Sequence, residues 1–190
     1  MEQPVIAVYD ANILYPAPLR DLFIRLAQAG LVRARWTDAI HDEWTRNVLA
    51  NNPRVTPERL IRTRSLMNEA VRDCLVAGYE DLVDSLTLPD PDDRHVLAAA
   101  ICGWVDLIVT FNLVDFPAGA LGQFGIEALH PDNFVVALLD QAPEAVCAAV
   151  KGQRESLRNP PKTAEELLAT LQTQGLTQAV SRLREFVAVL

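Results

Sequence analysis

Apolar positions along the first 130 residues switch between two periods, and the switches mark alternating strands and helices. Residues 4–9 (PVIAVY) form a short β-branched apolar run that ends abruptly at Asp10. Such a run reads as a strand buried on both faces, as in a parallel sheet, with Asp10 at its carboxyl tip. After a loop, Leu19, Leu22, Phe23, Leu26 and Ala27 repeat at the spacing of one buried helix face, and Gly30 stops it. Residues 31–36 alternate, with Val32, Ala34 and Trp36 on one side and Arg33 and Arg35 on the other, which predicts a second, less buried strand. Thr37 then caps a helix to about Asn51, with Ile40, Trp44 and Val48 facing the core and Pro53 closing it. Thr56-Pro57-Glu58 opens another helix, striped by Leu60, Met67, Val71 and Leu75, and a short helix is expected near residues 79–86.

The sequence LPDPDDRHVLAAAICG places a cap at Asp90, Pro91 at the first helical position and a stop at Gly103. Residues 107–111 (LIVTF) form another fully apolar strand with Asn112 at its tip, and residues 125–129 suggest one more. Beyond Pro131 only helical periodicity remains, over about 133–141, 143–157, 164–174 and 178–188, with Thr163 and Glu166 spaced as a capping box. Asn159-Pro160-Pro161 is the expected linker. The pattern predicts an α/β fold: a three-layer α/β/α sandwich with a central parallel sheet over 1–130, followed by a C-terminal helical extension over 131–190.

Composition narrows the class. Half of the 190 residues are hydrophobic and 22% are charged, which is that of a folded globular chain. The most apolar charge-free stretch, Val96–Val105, is about half the ~18 residues a membrane span needs. The first residues show neither a basic region nor a cleavage site, so a cytoplasmic protein is expected. Cys74, Cys102 and Cys147 lie far apart among apolar neighbours and are expected to be small core residues.

A net charge of -8 looks wrong for a nucleic-acid protein, but it is unevenly spread. Residues 20–72 carry ten Arg against six acids, whereas residues 73–150 carry thirteen acids against one Arg. An acidic stretch is ordinarily a solvated face. Here, however, Asp10 and Asn112 end two apolar strands, and Asp92-Asp93 open the helix preceding the second strand. Ligand sites of open α/β sheets gather at strand carboxyl ends. Carboxylates sharing a crevice need a cation, a shared proton or ample water. Hard oxygen ligands without Cys or paired His favour Mg2+ or Mn2+ over zinc. Helix capping and dipole stabilisation account for Asp90 and one neighbour without any metal, and a turn or cap could likewise account for Asp10.

Taken in order, DANIL at 10–14, Glu43 in the second helix, DPDDRHVLAAA at 90–100 and VTFNLVDFP at 109–117 resemble the motifs of PIN-domain ribonucleases, particularly VapC-type toxins. The resemblance covers most of residues 5–130 and implies metal-dependent endoribonuclease activity, hydrolysing RNA phosphodiester bonds. It implies Asp10, Glu43 and Asp93 as catalytic residues, and Asp10, Glu43, Asp92, Asp93, Asn112 and Asp115 as the metal set, with Asn12 and Thr110 in support. Asp42 is the next candidate after Glu43. Asn112 departs from the family, which often has Asp there. His41, His95 and His130 lack metal-ligand spacing, and His95 is kept as a residue behind the ligands.

An acidic site does not itself attract RNA, so phosphate contacts are expected from Arg46, Arg54, Arg59, Arg62 and Arg64, each of which could equally be a solvent-facing residue of an amphipathic helix. The expected partners are RNA as substrate, a small antitoxin protein lying across the site, and a second copy of the chain, with no membrane. Two other folds that begin with an apolar strand and Asp fit less well. A haloacid-dehalogenase-like phosphatase needs Asp where Asn12 stands, and a receiver domain needs a lysine after a late strand, whereas the two lysines are Lys151 and Lys162. The alternative of a different class is a non-catalytic PIN-like module that binds RNA or protein.

Overall fold

The computed structural model describes residues 4–190; the expectation about the first residues falls partly on 1–3, outside the described residues. The strands are β1 (Ile6–Tyr9), β2 (Arg33–Arg35), β3 (Leu107–Val109) and β4 (Glu127–Leu129). The helices are α1 (Ala11–Leu14), α2 (Ala17–Gln28), α3 (Asp38–Asn51), α4 (Pro57–Ala70), α5 (Glu80–Val83), α6 (Arg94–Cys102), α7 (Ala118–Leu121), α8 (Pro131–Gln141), α9 (Pro143–Ser156), α10 (Ala164–Thr173) and α11 (Thr177–Leu183).

All strand pairs are parallel, in the order β2-β1-β3-β4, with Ala7 opposite both Ala34 and Leu107. Helices flank this sheet, as the α/β expectation requires. Because β2 lies on one side of β1 and β3 on the other, the chain reverses its winding between β1 and β3. That reversal leaves a crevice at the strands' carboxyl ends. Ala98, Ala99 and Ala100 of α6 are fully buried, and their small side chains let this helix approach β1 and β3 closely.

The core does not stop at residue 130. Tyr9 of β1 meets Phe23 of α2 edge-on at 5.2 Å between ring centroids, and Phe23 stacks on Phe134 of α8 at 5.9 Å. Burying one such ring contributes about 2–3 kcal/mol. The buried carboxylate of Asp132 accepts the backbone N–H groups of Gln178 and Ala179, each at 2.8 Å, and so caps the start of α11 from the start of α8. The C-terminal helices are thereby fixed to one another and to α2. Among the described residues no helix is long and apolar enough to cross a membrane.

Several boundaries differ from the sequence expectation for local reasons. The segment after Asp10 forms α1 rather than a loop, because the Asp10 side chain caps it by accepting Ala11 N–H at 2.6 Å. β2 is only three residues long, and Trp36 instead bridges to Leu75. β3 ends at Val109, where the chain bends as the Thr110 hydroxyl turns towards Asp10. Pro91–Asp93 is a tight 3-10 turn leading into α6, and the last predicted helix tightens to 3-10 from Arg184. Cys74 and Cys147 are core residues, whereas Cys102 is partly exposed, at the C-terminal end of α6.

Candidate active site

Asp10, Asn12, Glu43, Asp93 and Asn112 line one open cleft of about 670 Å³, together with Ala39, Asp42, Arg46, Asp90, Asp92 and His95. Asp10 enters it from the end of β1 and Asn112 from just beyond β3, the two strands between which the winding reverses. Glu43 comes from the α3 face that also carries Ala39.

Asp10 is the most firmly held of these side chains. It is 4% exposed, and one carboxylate oxygen accepts Thr110 Oγ1–H at 2.7 Å and Asn12 Nδ2–H at 2.5 Å. Asn12 returns its own carbonyl to Phe111 N–H at 3.2 Å, and Thr110 Oγ1 accepts Asn112 N–H at 3.0 Å. Thr110 and Asn12 thus join the ends of β1 and β3 through the Asp10 carboxylate. Burial raises the pKa of Asp10, and the charge of Glu43 raises it further against the opposing hydrogen bond from Thr110.

Asp93 sits at the mouth of α6. Burial pushes its carboxyl up to about 7, reinforced by the charges of Asp10, Asp90, Asp115 and Glu43. Its Oδ2 is buried and has no hydrogen-bond partner. Carboxylate oxygens of Asp90, Asp93 and Asp115 fall within 4.8 Å of one another. Asp115 is turned by Asn112, whose side-chain amide donates to Asp115 Oδ2. An acidic set with an orphaned buried oxygen is what a hard divalent cation would complete. The residues present therefore fit a hard divalent cation.

The remaining sequence candidates divide. His95, in the cleft wall, has its Nε2 3.5 Å from Glu43 Oε2. Asp42 lines the cleft but is paired with Arg64, which also bonds Asp38 at 3.0 Å. Arg64 is therefore already engaged by carboxylates. Asp92 is an exposed part of the cleft wall. Arg46 is exposed on that wall, Arg59 lines a separate hollow with Arg20 and Tyr15, and Arg54 and Arg62 are exposed outside both. Sequence reasoning assigned Asp90 to capping alone. Its Oδ1 does accept Asp92 N–H at 2.9 Å, and Asp90 also lines the cleft beside Asp93 and Asp115.

A parallel sheet flanked by helices, with acidic side chains gathered where its two central strands end, defines an α/β PIN-like fold. Residues 131–185 match the family model described as the VapC50 C-terminal domain. The chain is also 42% identical over 97 residues to a Mycobacterium tuberculosis (strain ATCC 25618 / H37Rv) protein named "Putative ribonuclease VapC50". That alignment takes in 51% of this chain and 57% of that protein, so the chain spans little more than half the length of the relative it matches. No solved structure matches. The family model and the relative both carry the VapC50 name, so both likenesses are to VapC-type proteins.

Proposed function

We propose that this chain is a metal-dependent endoribonuclease, the toxin of a toxin-antitoxin pair, with residues 1–130 as the nuclease domain and 131–190 as a helical extension. The observation that carries the reading is the convergence of Asp10, Glu43 and Asp93 on one cleft at the β1/β3 reversal. The VapC50 likeness gives the same direction.

In this reading Asp10, Glu43 and Asp93 hold Mg2+ or Mn2+, with Asn112 and Asp115 completing the set. Held there, such an ion would supply an activated water and would offset the charge that develops on a phosphate undergoing hydrolysis. Asp10 is kept in place by Thr110 and Asn12, so its carboxylate needs little reorganisation when substrate arrives. A carboxylate of the set takes up the proton that water releases. Arg46, on the cleft wall, binds a phosphate of the RNA beside the scissile one, and Arg54, Arg59 and Arg62 contact the backbone further away. The same acidic cleft suits a basic side chain of an antitoxin.

Asn112 in place of an acid is the observation that favours a non-catalytic binding module instead. Expression of the chain in a bacterial host separates the two readings. Growth arrest with RNA cleavage, relieved by Asp10→Asn at equal protein level, is expected. Arrest that persists in Asp10→Asn, or no effect of the wild-type chain, would overturn the toxin reading.

A further inference from the structure

The metal set implied by the sequence leaves out Asp90, and local geometry brings it in. Pro91–Asp93 is a 3-10 turn in which Asp93 N–H bonds Asp90 C=O at 3.3 Å. Asp90 is the extended residue that opens this turn and Asp93 closes it, and the fold of the turn brings their carboxylates together, while Asp92 is not part of that group. Asp115 completes the group, held towards it by the Asn112 amide, and the three carboxylates offer oxygens within 4.8 Å of one another. Two atoms that close can both be reached by a single ion with metal–oxygen bonds of about 2.1–2.5 Å.

The Asp90 carboxylate has capacity for this role. One oxygen is taken by the Asp92 N–H, which fixes the side chain's orientation, and a second remains. The buried Asp93 Oδ2, with no hydrogen-bond partner, is the independent sign that this corner of the cleft lacks a positive group. Asn112, just beyond β3, supplies a neutral amide to the cleft, and that amide is spent on orienting Asp115.

We infer that Asp90 is a direct ligand of the divalent cation, sharing it with Asp93 and Asp115. The inference rests on the metal-dependent reading above and adds a residue to it. Asp90 thereby has two roles in one side chain, capping the turn with one oxygen and ligating with the other.

The test is Mn2+ binding by the full chain, followed by calorimetry and by the loss of free-ion paramagnetic resonance signal. Wild type is compared with Asp90→Asn, Asp92→Asn and Asp93→Asn. Asn caps as well as Asp, so Asp90→Asn removes the ligand charge and keeps the turn, which circular dichroism of the metal-free protein verifies. Even residues behind the ligands change metal affinity by roughly 10–100-fold, so Asp90→Asn is expected to weaken Mn2+ at least tenfold. Asp92→Asn removes the same charge two residues away and is expected to change it by less than about threefold. Equal weakening by both variants would reduce Asp90 to a long-range charge and overturn the inference. Unchanged affinity in Asp90→Asn with lost affinity in Asp93→Asn would also overturn it, leaving the metal reading intact. Absence of Mn2+ binding by the wild-type chain would overturn both.

Discussion

Asp93→Asn is expected to make the metal-free protein more stable, although it removes a residue central to the proposed chemistry. In the folded chain the Asp93 carboxyl is pushed from an ordinary 3.8 up to about 7, chiefly by burial and then by the charges of Asp10, Asp90, Asp115 and Glu43. Between those two values the folded protein holds a proton that the unfolded chain has released. Stability from this group is therefore fully present below about pH 4 and is lost as pH rises through about 7. A displacement of that size corresponds to roughly 4 kcal/mol if fully realised. The group is only half-buried, so solvent screening reduces it to about 1–2 kcal/mol. Asn has nearly the same shape and no charge to desolvate, and Asp93 makes no side-chain capping bond that would be lost. Loss of an acid from the N-terminal end of α6 costs about 0.3–1 kcal/mol through the helix dipole. The net gain is about 1 kcal/mol at pH 8, a rise in Tm of about 2–4 °C for a chain of this length, and it vanishes near pH 4. Urea or thermal unfolding in EDTA at both pH values measures it. A variant less stable than wild type at pH 8, or a gain of equal size at both pH values, would refute the electrostatic account of the cleft.

Two further substitutions probe the scaffold around the cleft. Thr110→Val keeps the shape but deprives Asp10 of a donor and Asn112 N–H of an acceptor in a fully buried position; it should cost about 2–4 kcal/mol in urea unfolding at pH 7, and a cost below about 0.5 kcal/mol would contradict the bridging role. Gly175 has φ +97°, and a Cβ there would lie 2.8 Å from Phe111 Cε1, so Gly175→Ala should lower stability by about 1–3 kcal/mol. An unchanged Tm would show that the C-terminal helices do not press on the β3 tip.

Local signals carry much of this architecture. An apolar run ending in Asp10, the apolar face of α2, the Thr37 and Thr56 caps and the Ala-rich α6 each follow from neighbours within one or two turns. The placement of acids at strand ends is legible for the same reason, since a strand's length fixes where its tip falls. What the sequence does not disclose depends on distant partners. Nothing near Asp132 indicates that it caps α11, and nothing near Phe134 indicates that it stacks on Phe23. Arg64 reads as a free phosphate contact until α3 and α4 are packed and Asp38 and Asp42 engage it. Asp90 reads as a simple cap because its group is completed by Asp115, which is brought beside it only when the segment beyond β3 folds against the start of α6.

Charge is a second instance of the same distinction. The net -8 is set by composition, but its meaning comes from the cleft, where four carboxylates raise the proton affinity of a fifth. A cation there would offset part of that charge and make an otherwise repulsive surface usable for a polyanion.

In the proposed function the cleft cuts RNA with the help of a divalent cation. Its most direct test is incubation of the purified chain with an RNA pool in Mg2+, in Mn2+ and in EDTA, beside folded Asp10→Asn and Asp93→Asn. Discrete internal cleavage is expected with either ion, none in EDTA, and a loss of at least about a hundredfold in both variants. Cleavage that survives EDTA, or that is retained by both variants, would contradict it.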